Sequence, residues 1–92
     1  MGSDMRMNWA LQIEPPSELE EKAVYNFQKP GNRIFPLETP IDMIDMEREA
    51  IAKIKVTEFT NKPGTTTGKY SIVKIYQGQE KQVLSDYWRE NQ

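Results

Sequence analysis

The sequence predicts a mainly β domain, in which five or six strands form a small antiparallel, barrel-like sheet with a C-terminal α-helix. Two observations predict the sheet. Residues 5–14 alternate apolar and polar side chains, which is the period of a strand with one buried side. Residues 52–77 contain two β-rich runs separated by a turn rich in Gly, Pro and Thr, which is typical of a long hairpin.

The first predicted strand, residues 5–14, ends at Pro15 and Pro16, because proline has no N–H to donate to a neighbouring strand. Its core face would carry Met5, Met7, Trp9, Leu11 and Ile13. The Ser-Glu-Leu-Glu sequence at residues 17–20 has the form of a capping box. We therefore expect one helical turn there, ending near Lys22.

A second strand is predicted over residues 23–28 by the alternation of its side chains. One face would carry Ala23, Tyr25 and Phe27. Lys-Pro-Gly-Asn at residues 29–32 predicts a type II turn, since proline fixes φ at the second position and glycine accepts the positive φ of the third. Residues 33–37 then resume extended chain, in which Pro36 indicates an edge strand or a bulge.

The segment that follows Thr39 allows two interpretations. The first is a helix near residues 40–52, with Pro40 in its first turn. The second is a strand at residues 41–45, followed by a polar turn near residues 47–49. Polar side chains in that turn interrupt the apolar stripe that a helix would need, so the strand interpretation is favoured.

The main hairpin is predicted to have arms at residues 52–59 and 70–77, joined by a nine-residue turn at residues 61–69. Its core face would carry Ile54, Val56, Val73 and Ile75. Its opposite face would carry Lys53, Lys55, Thr57, Phe59, Tyr70, Ile72, Lys74 and Tyr76. The whole predicted core is Met7, Trp9, Leu11, Ile13, Tyr25, Phe27, Ile54, Val56, Val73 and Ile75.

The last predicted element is an amphipathic helix over residues 79–90. Its apolar stripe would carry Val83, Leu84, Tyr87 and Trp88. This stripe would cover the helix's own sheet or bind a partner protein, and the sequence leaves both open. The predicted organisation is an N-terminus at residues 1–4 that is disordered or left from expression, a β domain at residues 5–77, and the helix and tail at residues 78–92.

The residue types present exclude several kinds of chemistry. The chain has no cysteine and no histidine, so it lacks disulfides and the commonest general base and metal ligand. The GTTTGK sequence at residues 64–69 has three residues between its glycines, whereas a phosphate-binding loop needs four. The acidic side chains within residues 42–49 match no calcium loop. The sequence therefore predicts no catalytic residue, no metal site and no cofactor, and an enzyme would require a cleft that holds two of those acids apart.

One predicted surface has binding potential, namely the lysine-bearing face of the main hairpin together with the helix. The candidate binding residues are Lys53, Lys55, Phe59, Tyr70, Lys74, Tyr76 and Trp88. Lysines that track phosphates and aromatic rings that stack on bases are the ingredients of a single-stranded nucleic-acid platform. The purely structural interpretation is a half-exposed sheet that carries lysine for solubility. The acidic isoelectric point of about 5.1 disfavours nucleic acid.

Two stretches resemble known families. The RIFPLETPID sequence at residues 33–42, with the later strand at residues 52–59 and the Thr-Thr and Tyr-Ser-Ile-Val motifs, resembles an uncharacterised bacterial family, domain-of-unknown-function family 2584. That resemblance covers residues 7–76 and implies a small β-rich domain without an assigned function. The EFTNKPGTTTG sequence at residues 58–68 is similar to the closing segment of the small phycobilisome linker domain, which implies a linker-like role.

These observations together predict a non-catalytic interaction module with an unknown protein partner. The alternatives are a weak single-stranded nucleic-acid binder that uses the lysine and aromatic face, and a phycobilisome-associated linker. No apolar run approaches the roughly 18 residues of a membrane span, and the N-terminus lacks a signal-peptide pattern. We therefore expect a cytoplasmic protein that has no membrane contact.

Overall fold

The structure, a computed structural model, describes residues 6–91 and, for Arg6, the backbone alone. Within this range lie seven strands and one helix. They are β1 Arg6–Met7, β2 Ala10–Gln12, β3 Val24–Pro30, β4 Arg33–Ile34, β5 Pro40–Ile44, β6 Ala50–Lys62, β7 Thr65–Ile75 and α1 Gly78–Glu90. The predicted mainly β fold with a C-terminal helix is confirmed. The prediction for residues 1–4 and the placement of Met5 lie outside the described range.

The main sheet has five strands in the order β2-β5-β6-β7-β3 and curls into a half-barrel. Neighbours within it are antiparallel except for β2 and β5, which are parallel. The predicted antiparallel sheet is therefore corrected to a mixed one. A parallel pair needs a long connection that returns the chain to the same end of the sheet, and residues 13–39 supply it. A second, two-stranded sheet pairs β1 with β4.

The first predicted strand is interrupted, because a bend at Trp9 separates β1 from β2. Before the bend the chain follows β4, where the Asn8 N–H donates to the Ile34 carbonyl at 2.7 Å. After the bend the chain follows β5. Because the chain changes its partner strand here, the alternation of apolar and polar residues no longer matches one continuous buried face. Leu11 is buried, while Met7 and Trp9 are exposed. The predicted burial of Met7 and Trp9 is wrong for that reason.

The main hairpin has longer arms and a tighter turn than the sequence predicts. Strands β6 and β7 run to Lys62 and from Thr65, which leaves only Pro63 and Gly64 in the turn. The threonines after the turn are β-branched and continue the strand instead of forming the predicted nine-residue loop. Gly64 accepts a φ of 77°, a value that favours glycine.

A β-bulge in β7 changes which of its side chains enter the core. Lys74 pairs with Lys53 and Ile72 pairs with Ile54, so Val73 has no cross-strand partner and is 40% exposed. The predicted core position of Val73 is wrong, whereas Ile75, beyond the bulge, does pack against the core. Tyr70 and Ile72, which the sequence places on the lysine face, are buried in the core instead.

Two helical segments considered from the sequence, the disfavoured alternative near residues 40–52 and the predicted turn at residues 17–20, are absent from the described residues. The helix near residues 40–52 is replaced by β5, a turn and the start of β6, as the favoured strand interpretation expects. The Asp45 carboxylate closes that turn by accepting the backbone N–H groups of Glu47 and Glu49, each at 2.9 Å. The capping-box segment at residues 17–20 forms bends, because the chain turns there to enter β3.

The hydrophobic core lies on one side of the main sheet, which we call the core face. Its buried members are Leu11, Phe27, Phe35, Ile41, Met43, Ala52, Ile54, Val56, Tyr70 and Ile72. Phe35 lies after β4 and packs edge-on against Phe27 and Phe59, with ring centroids 5.3 and 6.0 Å apart. The two edge strands of the main sheet are joined by one hydrogen bond, in which the Lys29 ammonium on β3 donates to the Gln12 carbonyl on β2. The core face is thus covered by the chain itself.

Candidate functional site

Helix α1 lies on the other side of the sheet, the outer face. Ile41 and Met43 point into the core, so the intervening Asp42 points outward, where it meets Trp88 of the helix. The Ser85 side chain is buried, and its hydroxyl accepts the Ala50 N–H at 2.9 Å. The helix therefore docks on its own sheet.

The predicted apolar stripe of the helix is divided between the sheet and solvent. Leu84 and Trp88 are half-buried on either side of Ser85. Val83 and Tyr87 are 57% and 52% exposed. An α-helix completes one turn every 3.6 residues. Because the contact with the sheet is centred on Ser85, part of the apolar stripe lies outside that contact. This exposed apolar edge needs an explanation beyond folding.

The C-terminal end of the helix is held by the turn between β5 and β6. Arg48 takes a φ of 64°, and its Nε donates to the Trp88 carbonyl at 2.7 Å and its Nη2 to the Asn91 carbonyl at 3.3 Å. A cation at this end complements the partial negative charge of the helix terminus. Lys81 also pairs with Glu49 at 3.1 Å. These contacts fix the direction of the helix across the outer face.

Asp42 is the polar centre of the interface between helix and sheet. Its Oδ1 accepts the Tyr76 hydroxyl at 2.5 Å and its Oδ2 accepts the Trp88 indole N–H at 2.8 Å. Burial raises the pKa of Tyr76 well above its usual range, and the bond to Asp42 raises it further. The Tyr76 hydroxyl therefore stays protonated at neutral pH and acts as a fixed donor.

Beside this centre, the N-terminal half of α1 and the outer face enclose an open cleft of about 710 Å³, which we call the helix–sheet cleft. Its lining is Trp9, Pro40, Ile41, Asp42, Lys53, Tyr76, Gln79, Glu80, Val83 and Leu84. Trp9, 61% exposed, and Val83 contribute large apolar surfaces. An apolar concave surface with a few fixed polar groups is the usual form of a binding site.

The charges in and around the cleft are unequally paired. Glu80 pairs with Lys74 at 2.7 Å, and both oxygens of Asp42 already accept hydrogen bonds. Lys53 lies opposite Asp42 in the strand register, and Lys55 lies opposite Pro40. Neither Lys53 nor Lys55 belongs to an ion pair within residues 6–91. Lys53 and Lys55 therefore place positive charge along one edge of the cleft, next to the Asp42 carboxylate.

The structure brings together part of the predicted binding face. Lys53, Lys55 and Lys74 do share the outer face. Phe59 and Tyr70 do not, since both pack with the core. Their predicted sidedness is wrong because bulges near Thr57 and Val73 shift the alternation of the hairpin. The binding face as a whole thus loses its stacking groups.

The two remaining members of the predicted binding set, Tyr76 and Trp88, bind Asp42 within the molecule. Tyr76 is buried beneath the helix and Trp88 is half-buried. Neither ring is a free surface for stacking. Both instead define the closed end of the interface next to the helix–sheet cleft.

Two residues of the site were missed by the sequence pattern, namely Trp9 and Asp42, whereas Val83 was part of the helix stripe for which partner binding was left open. Trp9 was assigned to the core by strict alternation, and Asp42 was considered only as one of the acidic side chains within residues 42–49. One signal was available for Asp42, because a carboxylate between Ile41 and Met43 in a strand must lie opposite the core. Its partners Tyr76 and Trp88 are 34 and 46 residues away, so no local pattern marks the contact.

Within residues 6–91, no group of three or more Asp or Glu side chains is placed to hold a metal ion. In the same range, the helix is too short and too polar to span a bilayer.

Comparisons with known proteins support the fold. The X-ray crystal structure of protein ytmB from Bacillus subtilis, a structural-genomics target, matches with a TM-score of 0.67 and 22% sequence identity. The match covers 83% of this chain and 95% of that chain. A likeness at this identity concerns architecture, since one fold can carry many functions. No protein-family model and no curated protein matches the sequence.

Proposed function

We propose that this chain is a non-catalytic protein-interaction module that binds a partner protein in the helix–sheet cleft. The observation that carries the proposal is the apolar wall formed by Trp9 and Val83, both more than half exposed, at the edge of a cleft of about 710 Å³. Exposed apolar surface of this kind marks interaction sites. Tryptophan is also one of the residue types enriched among energetically dominant interface positions.

The polar floor of the cleft supports binding more than catalysis. Asp42 is held by two donors, and the Tyr76 hydroxyl stays protonated, so neither group is a free base or nucleophile at neutral pH. Fixed side chains of this kind preorganise a surface, which lowers the cost of binding. The proposal includes a cytoplasmic location and membership of the uncharacterised family 2584, both of which are expectations from the sequence.

The nucleic-acid alternative has less support from the same geometry. It keeps three lysines on one face but loses Phe59 and Tyr70, whose rings pack with the core. Single-stranded nucleic acids bind largely through stacking on exposed rings. The phycobilisome-linker alternative also has less support. It depends on residues 58–68, and most of those residues form the tip of the β6–β7 hairpin, a common structural element.

Site-directed photocrosslinking tests the proposal, and the absence of native cysteine makes single-site labelling straightforward. A Val83→Cys variant carrying a benzophenone maleimide is incubated with native lysate. We expect a discrete covalent adduct with one partner protein. Met46→Cys is the matched control, since Met46 is 61% exposed but lines a separate surface by β2 and β3.

The result has a clear contrary outcome. Equal labelling of many proteins from both positions, or no adduct from Val83→Cys, would overturn the proposal. Adduct formation should also be suppressed by Trp9→Ala, because removing the indole removes one wall of the cleft.

A further inference from the structure

The helix–sheet cleft continues onto a short strip of the outer face that carries two lysines. Lys53 lines the cleft, and Lys55 lies two residues further along β6. Both side chains are half-buried, and within the described residues neither belongs to an ion pair. We call this strip, formed by Lys53 and Lys55, the lysine strip.

The two acidic groups beside the lysine strip reduce its positive charge without cancelling it. Asp42, opposite Lys53, accepts the Tyr76 hydroxyl and the Trp88 indole N–H, which are neutral donors, so three lysines on this face stand against the two acids Asp42 and Glu80. Glu80, which lines the cleft, pairs with Lys74 at 2.7 Å. An occupant therefore meets an apolar wall first and then a positive edge. Complementary charge selects among partners that have similar apolar anchors.

We infer that the occupant of the helix–sheet cleft is an extended segment of a partner protein in which acidic residues follow an apolar anchor. This inference rests on the proposed function. The anchor would lie between Trp9 and Val83, which form the exposed wall. The acidic side chains would lie over the lysine strip.

The spacing of the lysine strip fits an extended segment. Lys53 and Lys55 are alternate residues of one strand, so their attachment points lie about 7 Å apart on one face. An extended peptide repeats its side chains on one side at the same interval. Acidic residues two positions apart can therefore pair with both lysines. A single-stranded nucleic acid binds largely by stacking on several exposed rings, and of the two aromatic rings that line the cleft Trp9 is exposed and Tyr76 is buried.

Peptide display on the full chain tests the inference. A displayed library of random 12-residue peptides is selected against the immobilised protein, and enriched peptides are synthesised and titrated by fluorescence anisotropy. We expect sequences that combine Leu, Ile, Phe or Trp with Asp or Glu within the next four positions. Lys53→Glu and Lys55→Glu should each weaken binding by about tenfold.

Lys62→Glu is the matched control. It makes the same change of charge on the same strand, about 23 Å beyond Lys55 by strand length, where the side chain is exposed at the hairpin tip. We expect its affinity to stay within about twofold of the wild-type value. Thermal melts of all three variants verify that they fold, so a lost affinity is read as a lost contact.

The outcomes separate this inference from the proposed function. Enriched peptides that lack acidic residues, or whose affinity ignores Lys53→Glu, overturn the acidic occupant, while the proposed function stands if Val83→Glu abolishes their binding. No enrichment above the bare support overturns the inference, and together with a negative photocrosslinking result it overturns both. Binding of a single-stranded oligonucleotide, lost in Lys53→Glu and without peptide binding, would assign the lysine strip to nucleic acid instead.

Discussion

Two tyrosine hydroxyls with the same chemistry have opposite surroundings in this protein. The Tyr76 hydroxyl donates to Asp42 at 2.5 Å, whereas the buried Tyr70 hydroxyl has no hydrogen-bond partner among the described residues. A buried polar group without a partner costs free energy that the same ring without the hydroxyl would not. Tyr70 contributes to the core through its ring, which stacks on Tyr25 at 5.7 Å.

Replacing Tyr70 by phenylalanine should therefore leave the free energy of unfolding unchanged or raise it by up to about 1 kcal/mol. Urea unfolding at pH 7 measures this. Tyr76→Phe is the matched control, and it should cost about 1.5–3 kcal/mol because it removes a bond to a carboxylate. A loss above 1 kcal/mol in Tyr70→Phe would contradict the unpaired hydroxyl.

The same residue predicts a pH dependence. Burial raises the pKa of Tyr70 to about 12, and the neighbouring Tyr25 contributes to the rise. In the unfolded chain the pKa is about 10, so between pH 10 and 12 the unfolded state loses a proton that the folded state keeps. Stability must then fall as pH rises through this window. Urea unfolding at several pH values should give a shallower fall for Tyr70→Phe, and equal slopes would contradict the assignment.

Glycine is required at position 68 because neighbouring atoms lie too close to leave room for a Cβ, and not because of its backbone angles. A Cβ at this position would lie 2.7 Å from the Phe27 ring carbon Cε1 and would also collide with the Glu58 carbonyl. Gly68→Ala should therefore lower the free energy of unfolding by about 1–3 kcal/mol, the usual cost of overpacking. Urea unfolding measures it. The adjacent exposed Lys69→Ala should change stability by no more than about 0.5 kcal/mol, and equal effects would contradict the argument.

At the scale of elements, α1 and the β6–β7 hairpin are stabilised differently. The hairpin supplies much of the core face through Ile54, Val56 and Ile72. The helix has one buried side chain, Ser85, and is attached mainly by directional bonds to the sheet and to the turn after β5. Its docking should respond to loss of single polar contacts more than the hairpin does.

Arg48 gives the sharpest test of this difference. Arg48→Ala removes two bonds to carbonyls at the helix end and keeps an unfavourable positive φ, so stability should fall by about 1–3 kcal/mol. Arg48→Gly removes the same bonds but relieves the backbone, and it should be about 1 kcal/mol more stable than Arg48→Ala. Urea unfolding followed by circular dichroism at 222 nm measures both. Equal stabilities would show that the positive φ carries no cost.

At the scale of the whole molecule, local stability against opening should be higher in the main sheet than in the two-stranded sheet. β6 has paired neighbours on both sides in the main sheet, whereas β1 and β4 are two-residue strands that pair only with each other. Amide groups of β6 and β7 should therefore exchange slowest and those of β1 and β4 fastest. Hydrogen exchange followed by NMR measures this order, and protection of β4 equal to that of β6 would contradict it.

Local alternation was enough to predict the strands and part of the core. Leu11, Ile54 and Val56 are buried where a period of two places them. The same rule failed at Trp9 and Val73, since a bend or a one-residue bulge changes the side to which nearby side chains point without leaving a mark in composition. The helix–sheet cleft could not be predicted, because its lining comes from segments far apart in the chain that only the folded topology brings together.

The two tryptophans occupy such different surroundings that their intrinsic fluorescence can report on two different events. Trp9 is exposed at the mouth of the helix–sheet cleft, while the Trp88 indole is tied to Asp42 inside the interface. Iodide added to the free protein should quench the emission of Trp9 before that of Trp88. A bound partner should shield the first fluorophore, and release of the helix should expose the second. Filling of the cleft and undocking of the helix can therefore be followed separately, without any added dye.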